Sequence, residues 1–498
     1  MAGGGGGGSA DRGRTAALAA AAAAAAAASV AAAAALALAR RWRAAAEEAT
    51  VELLEGETSP VMLGMAPAIS TVTFYEGPHA DAAAYLRRRV VEVLRLNPWL
   101  GGRLARRRGR VVLVYSADAG DGAGDGEGEG EGEGEGEGDG EGTDGVAPVA
   151  AGAAAVFRHC APGEVPLSRA TPYGAMARAA ASALVGKGSE SLGSGAPVLR
   201  VSVVPDAAAP EARWALVASL SHVVADGHTF YRVLGMLSET ERAAALSPRR
   251  LPGVAAAGDR AMRGDGGFLQ RPAPGLLISL VASMAAGKVV GPSCEVGVWH
   301  VDEAFVARKK AAAAAARGEE EGEVEWVSTN DVITSTLLAA SGADVGTMDV
   351  NFRGRVAGAS EDLAGNYEDK ITYRPRDFAT PALIRRSIAD AGALGRRAEP
   401  RTELPRTVGE FWRCRMISAV SNWSSFHRDV SLMKSCGSRA DLHLPLFRKE
   451  DVPARAFTGA FVFRAKAGAP LAVALAAKPA VLDAVSRCGI LGRRVDLA

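Results

Sequence analysis

The residues with the clearest chemical potential are a histidine and a carboxylate four positions apart, His222 and Asp226, followed directly by Gly227. Neutral imidazole near pH 7 accepts a proton from a hydroxyl or an amine, so His222 is a candidate general base. The Asp226 carboxylate can fold back to fix the loop, and Gly227 permits a positive φ or a close backbone approach. Two other interpretations stay open. The histidine can be an ordinary polar residue at a strand end, or His222, Asp226 and His228 can be metal ligands.

The flanking sequence predicts the elements that position this motif. The apolar run Trp214–Ser221 is too short for a globular helix and ends at a turn signal, which indicates a buried strand. Apolar side chains then recur with the i, i+3, i+4, i+7 spacing of one helix face, at Phe230, Val233, Leu234 and Leu237. The motif therefore lies at a strand–turn–helix corner, where a sheet holds the histidine while its ring can face a cleft.

The segment 222–227, HVVADG, matches the HxxxDG signature of the superfamily that includes chloramphenicol acetyltransferase, the BAHD plant acyltransferases and peptide-synthetase condensation domains. Other features resemble BAHD-type enzymes: the helix that ends at Asn97-Pro98, the helix start at Ser328-Thr329, and an Arg-x-Arg strand end followed by Gly365-Asn366. The DFGWG motif of that family is missing, so the chain resembles a divergent member. The resemblance implies an α/β, two-domain chloramphenicol acetyltransferase-like fold, with mixed β-sheets flanked by helices and an active-site tunnel between the domains.

The resemblance also implies a mechanism. His222 would deprotonate a hydroxyl or amine acceptor, which attacks an acyl-CoA thioester directly without an acyl-enzyme. Acyl-CoA would be a co-substrate, and neither a bound cofactor nor a metal is implied. Asp226 would be structural, with a salt bridge to an arginine, for which Arg353 and Arg355 are the candidates. Gly227 would belong to the same loop.

The oxyanion of the tetrahedral intermediate needs a hydrogen-bond donor from the second domain. Asn422-Trp423-Ser424 resembles the family strand that lines the tunnel opposite the histidine, so Ser424 and Asn422 are the candidates. Two other functions stay open. One is a condensation-type enzyme that uses carrier-protein thioesters, although Ser221 stands where such domains usually have an additional histidine. The other is a non-catalytic relative that binds a ligand or partner, which the missing DFGWG favours and the intact HxxxDG disfavours.

The length and composition of the chain indicate its domain organisation, compartment and partners. At 498 residues the chain exceeds one domain, and we expect an N-terminal acyltransferase domain over 50–290 and a C-terminal one over 291–498, after a low-complexity leader at 1–49. A net charge of +1 implies no nucleic-acid partner. Five scattered cysteines without metal-ligand spacing indicate a reducing, intracellular compartment. The expected partners are a small-molecule acceptor and acyl-CoA, and the expected state is a monomer.

Several segments have biased composition. Residues 15–39 are uncharged and nearly all alanine between arginines, long enough for a bilayer but weakly apolar. A membrane anchor, a targeting segment for an organelle and a solvated tail all stay open. The Gly/Asp/Glu repeat at 118–145 has nothing to bury and predicts a disordered insertion. Residues 246–267 predict a loop. The apolar run Leu276–Ala286 predicts a packed helix, with contact to a lipid-like substrate or a membrane surface as the alternative.

Overall fold

A computed structural model describes residues 48–117, 152–268, 271–290, 294–316, 326–390, 392–414, 416–452 and 457–497. The alanine-rich segment 15–39 and the acidic insertion 118–145 lie outside these residues, so the predictions made for both stay predictions. Within the described ranges, no helix combines the length and the apolar character needed to cross a membrane.

Strands and helices are interspersed along the chain. The first part contains β1 (Glu48–Glu52), α1 (Pro60–Gly64), β2 (Ile69–Glu76), α2 (His79–Leu96), β3 (Arg103–Arg107), β4 (Arg110–Ser116), β5 (Phe157–His159), α3 (Tyr173–Ala179), α4 (Gly188–Ser191), β6 (Leu199–Pro205), β7 (Arg213–Leu220), α5 (Gly227–Gly235), α6 (Pro252–Ala261) and α7 (Pro274–Val290). The second part contains β8 (Glu295–Val301), α8 (Glu303–Ala315), α9 (Thr329–Ala340), β9 (Val345–Asn351), β10 (Glu368–Tyr373), α10 (Pro381–Ala389), α11 (Val408–Arg413), β11 (Ile417–Asn422), α12 (Met433–Cys436), β12 (Arg439–Pro445), β13 (Phe457–Arg464), β14 (Leu471–Ala477), α13 (Pro479–Arg487) and β15 (Leu491–Arg494).

The strand that precedes His222 is central in its sheet. The five-stranded sheet has the order β12-β2-β7-β6-β5, and β7 is antiparallel to both of its neighbours. All but the first residue of β7 are buried, because helices cover one face and the rest of the molecule covers the other. A strand paired on both sides gives His222 a rigid support.

The second large sheet has seven strands in the order β10-β9-β11-β13-β14-β8-β15. Strands β9, β11 and β13 run parallel, and the other pairs are antiparallel. The prediction of an α/β fold with mixed sheets flanked by helices is therefore confirmed. The two sheets are tied together by β12, which follows β11 in the chain but pairs with β2 of the first sheet from Arg439↔Glu76 to Pro445↔Thr71.

The predicted loop at 246–267 is wrong, because α6 lies within it. Pro252 begins this helix at a position where its missing N–H costs nothing. Its buried face consists of Val254, Gly258 and Ala261, spaced i, i+4, i+7. Such small side chains give little hydrophobic periodicity, so the sequence does not indicate this helix. Gly258 is required by packing, since a Cβ there would lie 2.2 Å from the ring of Phe352.

Candidate active site

His222 lies at the wall of a cavity of about 510 Å³ that both large sheets line. The lining residues include Ser70 of β2 in the first sheet, and Ser421 of β11 and Phe461 of β13 in the second. The cavity is therefore at the junction of the two sheets, where the resemblance places a tunnel. The strand–turn–helix corner predicted for the motif is present, with β7 ending at Leu220 and α5 beginning at Gly227.

The hydrogen bonds of the His222 ring leave one nitrogen as the proton acceptor. Nδ1 lies 3.0 Å from the carbonyl oxygen of Ala225 and 3.1 Å from Oδ1 of Asn366. Both partners accept, so Nδ1 carries the proton and Nε2 keeps its lone pair. The amide of Asn366 is oriented by its own Nδ2, which donates to the carbonyl oxygen of His222 at 2.9 Å.

The electrostatic surroundings keep this imidazole neutral. Burial lowers the pKa of His222 from its ordinary value of 6.5, and the positive charge of Lys370 lowers it further. A neutral ring at pH 7 is the form that a general base requires.

Asp226, the aspartate of the HxxxDG pattern, is fully buried and binds Arg353. Arg353 Nη1 donates to Asp226 Oδ2 at 2.7 Å, and both side chains are inaccessible to solvent. The same carboxylate accepts from the backbone N–H of Thr229 at 2.8 Å as the N-cap of α5, and from that of Tyr367 at 3.0 Å. Burial alone would raise the pKa of Asp226, but Arg353 and these donors hold it below its usual range.

Arg355, the other arginine proposed from the sequence, does not contact Asp226. Its Nη1 donates to the carbonyl oxygen of Asn351 at 3.1 Å. Strand β9 ends at Asn351, and the chain turns after it. The side chain of Arg353 is buried, whereas that of Arg355 is exposed to solvent. The alternative partner is therefore wrong, and the geometry pairs Asp226 with Arg353.

Gly227 is the first residue of α5 and has no positive φ, so the expectation of an unusual backbone angle is wrong. A Cβ at this position would lie 3.4 Å from Nε1 of Trp423 and 3.9 Å from the ring of Phe426, which are ordinary van der Waals distances, so close approach does not require glycine here either. The indole of Trp423 thus packs on the glycine across the junction.

A second buried ion pair supports the histidine loop, and no motif in the sequence indicates it. Arg250 Nε donates to Glu57 Oε2 at 2.8 Å, and Arg250 Nη2 donates to the carbonyl oxygen of Val224 at 2.8 Å. Glu57 Oε1 in turn accepts from the backbone N–H of Asn366 at 3.0 Å and from its Nδ2 at 3.2 Å. The pair thereby holds both the 222–226 loop and the amide that contacts His222.

The structure does not place the two oxyanion candidates from the sequence at the cavity. Side chains of β11 alternate, so Ser421 faces the cavity while Asn422 faces away and donates to Asn330 Oδ1 at 2.7 Å. The hydroxyl of Ser424 donates to Asn422 Oδ1 at 2.7 Å. Ser421 is the polar side chain of this strand that lines the cavity, and its Oγ accepts from Trp423 Nε1 at 3.0 Å, which leaves its own proton available.

The solved structures that share this architecture include two of TRI101. F. sporotrichioides TRI101, complexed with coenzyme A and T-2, matches with a TM-score of 0.51 at 10% identity, over 88% of this chain and 97% of that chain. F. graminearum TRI101, complexed with ethyl coenzyme A, matches with a TM-score of 0.51 at 11% identity, over 88% and 96%. No protein-family model and no curated protein matches the sequence. TRI101 is a BAHD acyltransferase. The chain has the BAHD acyltransferase fold.

In this BAHD-type fold, the C-terminal part of the chain, which lacks a DFGWG motif, includes the strand β12. His443 of β12 is buried, with Nδ1 2.8 Å from Thr73 Oγ1 and Nε2 3.0 Å from the hydroxyl of Tyr231. Asp441 accepts from Arg169 Nε at 2.9 Å. These contacts join β12 to β2 and α5, so the divergent region here has a packing role.

The metal-site interpretation of His222, Asp226 and His228 finds no geometric support in the BAHD-type fold. His228 Nε2 lies 3.2 Å from the carbonyl oxygen of Glu361, while Asp226 binds Arg353. In the part of the chain that the structure describes, no three His, Cys, Asp or Glu side chains converge as a metal-binding group.

Proposed function

We propose that the chain transfers an acyl group from a CoA thioester to a hydroxyl or amine of a small acceptor, with His222 as general base. The observation that carries the proposal is the His222 ring, which has its Nδ1 proton bound by two acceptors and lies in the cavity between the sheets. The BAHD-type fold and the HxxxDG resemblance support the reaction class.

The proposed step needs one base and no covalent intermediate. Nε2 of His222 takes the proton of the acceptor as its oxygen or nitrogen attacks the thioester carbonyl. The tetrahedral oxyanion receives a hydrogen bond from Ser421, which replaces Ser424 and Asn422 in this role. When the C–S bond breaks, the imidazolium returns its proton to the leaving thiolate, so that free CoA and the acylated acceptor are released. Asp226 with Arg353, and Glu57 with Arg250, are positioning residues.

The proposal is tested with the full chain, mixed acyl-CoAs and a pool of alcohols and amines, with free thiol and acylated products measured together. Equal amounts of thiol and acylated product would support the transferase. Thiol without acylated product indicates thioester hydrolysis and argues against it. If neither forms with acyl-CoA but acyl carrier-protein thioesters are consumed, the condensation-type alternative replaces the proposal.

Ser421→Ala is expected to lower kcat by roughly 10- to 100-fold, below the loss of about 10²–10³ for a strong oxyanion donor, since a single neutral hydroxyl is removed. KM should change little, because the charge that this hydroxyl stabilises exists only in the transition state. Ser424→Ala is the matched control, and its kcat should stay near that of the wild type. Equal losses in both variants would remove the role given to Ser421.

A further inference from the structure

Most charged groups in the cavity wall are already neutralised by a partner. The ion pairs are Glu57 with Arg250 at 2.8 Å, Asp259 with Arg271 at 2.5 Å, Asp349 with Lys370 at 2.7 Å, and Asp451 with Lys187 at 2.7 Å and with Arg448 at 2.9 Å. Asp369 instead accepts two backbone N–H groups, from Gly267 and Lys370. Glu55 is exposed to solvent at the rim.

Glu368 is different from all of these. It lines the same cavity from the start of β10, and no described residue donates a hydrogen bond to its carboxylate or forms an ion pair with it. It shares a sheet face with Lys370, two residues along β10, and with Asp349, the cross-strand partner of Lys370. Because Lys370 is engaged by Asp349, this wall of the cavity carries one uncompensated carboxyl group.

An ionised carboxylate that is partly removed from water and has no hydrogen-bond or ion-pair partner raises the free energy of the protein, unless a ligand supplies that partner. Burial raises the pKa of Glu368 to about 8, and the nearby carboxylates of Asp349 and Asp226 raise it while the cations of Lys370 and Arg353 lower it. Without a ligand the group is therefore mostly a neutral acid at pH 7. A bound cation would stabilise the ionised carboxylate, with release of the Glu368 proton to solvent, whereas a neutral hydroxyl on the ligand would not.

We propose that Glu368 binds the ammonium group of the acceptor, so that the acceptor class is a cationic amino compound whose reacting hydroxyl or amine is separate from its charged nitrogen. The inference rests on the proposed function for the reacting group, but the ammonium site itself can be measured without turnover. The same cavity is also lined by the aromatic side chains of Trp423, Phe447 and Phe461. These rings favour an apolar body on the ligand.

The test uses two probes of equal size, 4-(aminomethyl)benzyl alcohol and 1,4-benzenedimethanol. Both present the same benzylic hydroxyl, and only the first carries an ammonium group at pH 7. Binding to the full chain is measured by isothermal titration without acyl-CoA, and thiol release with acyl-CoA is measured separately. The variants are Glu368→Gln, which removes the charge and keeps the shape, and Asp259→Asn as a control carboxylate in the same cavity that already has an arginine partner.

The wild type and Asp259→Asn should bind the ammonium probe at least about 10-fold more tightly than the diol, the lower range for a partly buried charged hydrogen bond. Glu368→Gln should lose this preference while its affinity for the diol stays the same, which also shows that the variant is folded. Equal binding of both probes by the wild type, or a preference that survives Glu368→Gln, would overturn the assignment. A preference for the ammonium probe without any thiol release would keep the ammonium site and argue against the acyltransferase proposal.

Discussion

Replacement of His222 with alanine is expected to lower the rate of thiol release from acyl-CoA by roughly 10²–10⁴-fold, the usual contribution of a positioned general base. The structure gives the reason, because Nε2 is the ring nitrogen that its hydrogen bonds leave free to take the acceptor proton. The same variant should leave acyl-CoA binding nearly unchanged, since the ring acts on the proton and not on the thioester donor. Kinetics and equilibrium binding of acyl-CoA, measured side by side, separate the two effects.

The matched control is His228→Gln. This histidine is also buried and belongs to the same segment, but its Nε2 lies near the carbonyl oxygen of Glu361 and it does not line the cavity. Its activity should remain within a few-fold of the wild type. If His222→Ala kept most of its activity, or if His228→Gln lost as much, the assignment of the base would be wrong.

The pH profile gives an independent check on the same residue. Burial and Lys370 lower the pKa of His222, so the midpoint of its titration lies below pH 6.5 and the ring is neutral above that midpoint. The value of kcat/KM should therefore rise with pH up to that lowered pKa and then stay flat through pH 7 for an uncharged acceptor. The neutral diol is the suitable acceptor for this measurement, since its binding does not depend on Glu368. A profile centred above pH 7 would contradict the proposed environment of the ring.

The local elements around the motif are predictable from sequence because each has a strong local signal. The helix expected to end at Asn97-Pro98 ends at Leu96, and the helix start expected at Ser328-Thr329 is present, with Ser328 as the cap that accepts from the backbone N–H of Asp331. The strand expected over Trp214–Ser221 is present as β7, Arg213–Leu220. Periodicity and capping act within a few residues, so a single sequence carries them.

Contacts across the cavity were not predictable, because nothing local specifies them. Glu57 and Arg250 are 193 residues apart, and neither belongs to a recognisable motif. On β11, small polar residues occur on both faces, and a displacement of one residue exchanges the cavity face for the opposite one. The sequence therefore indicated this region but singled out Asn422 and Ser424, whereas the structure places the side chain of Ser421 at the cavity.

The second large effect is expected at the buried pair of Asp226 and Arg353. Asp226→Asn leaves the guanidinium of Arg353 buried without its counter-charge, and breaking a buried pair from one side typically costs about 3–5 kcal/mol of unfolding free energy. Asparagine also has an NH₂ group in place of one carboxylate oxygen. That group would face the guanidinium of Arg353 or the N–H of Thr229 or Tyr367, which are all donors, so one hydrogen bond would be replaced by repulsion between two donors. Denaturant unfolding of the full chain measures the loss. Glu52→Gln is the control, since its pair with Arg110 is exposed and should contribute little.

The acid dependence of stability distinguishes the charge of Asp226 from its shape. Its folded pKa is below the ordinary value of 3.8, so its contribution is fully present above that unfolded value and is lost as the pH falls through the lower folded value. Stability from this residue should thus be constant between pH 5 and 8 and should decline only in strong acid. In Asp226→Asn that acid-dependent part should be absent. A variant that unfolds with the same acid profile as the wild type would show that the carboxylate does not carry the effect.

A double-mutant cycle then tests whether the pair acts as a unit. Arg353→Met should also destabilise, because it leaves Asp226 charged and buried and removes the donors to the carbonyl oxygens of Leu363 and Gly365. Combined with Asp226→Asn, it should cost clearly less than the sum of the two single changes, since neither charge remains without a partner. Additive losses would mean that the two side chains stabilise the junction independently. The geometry, in which one arginine joins the start of α5 to the 363–365 loop, favours coupling.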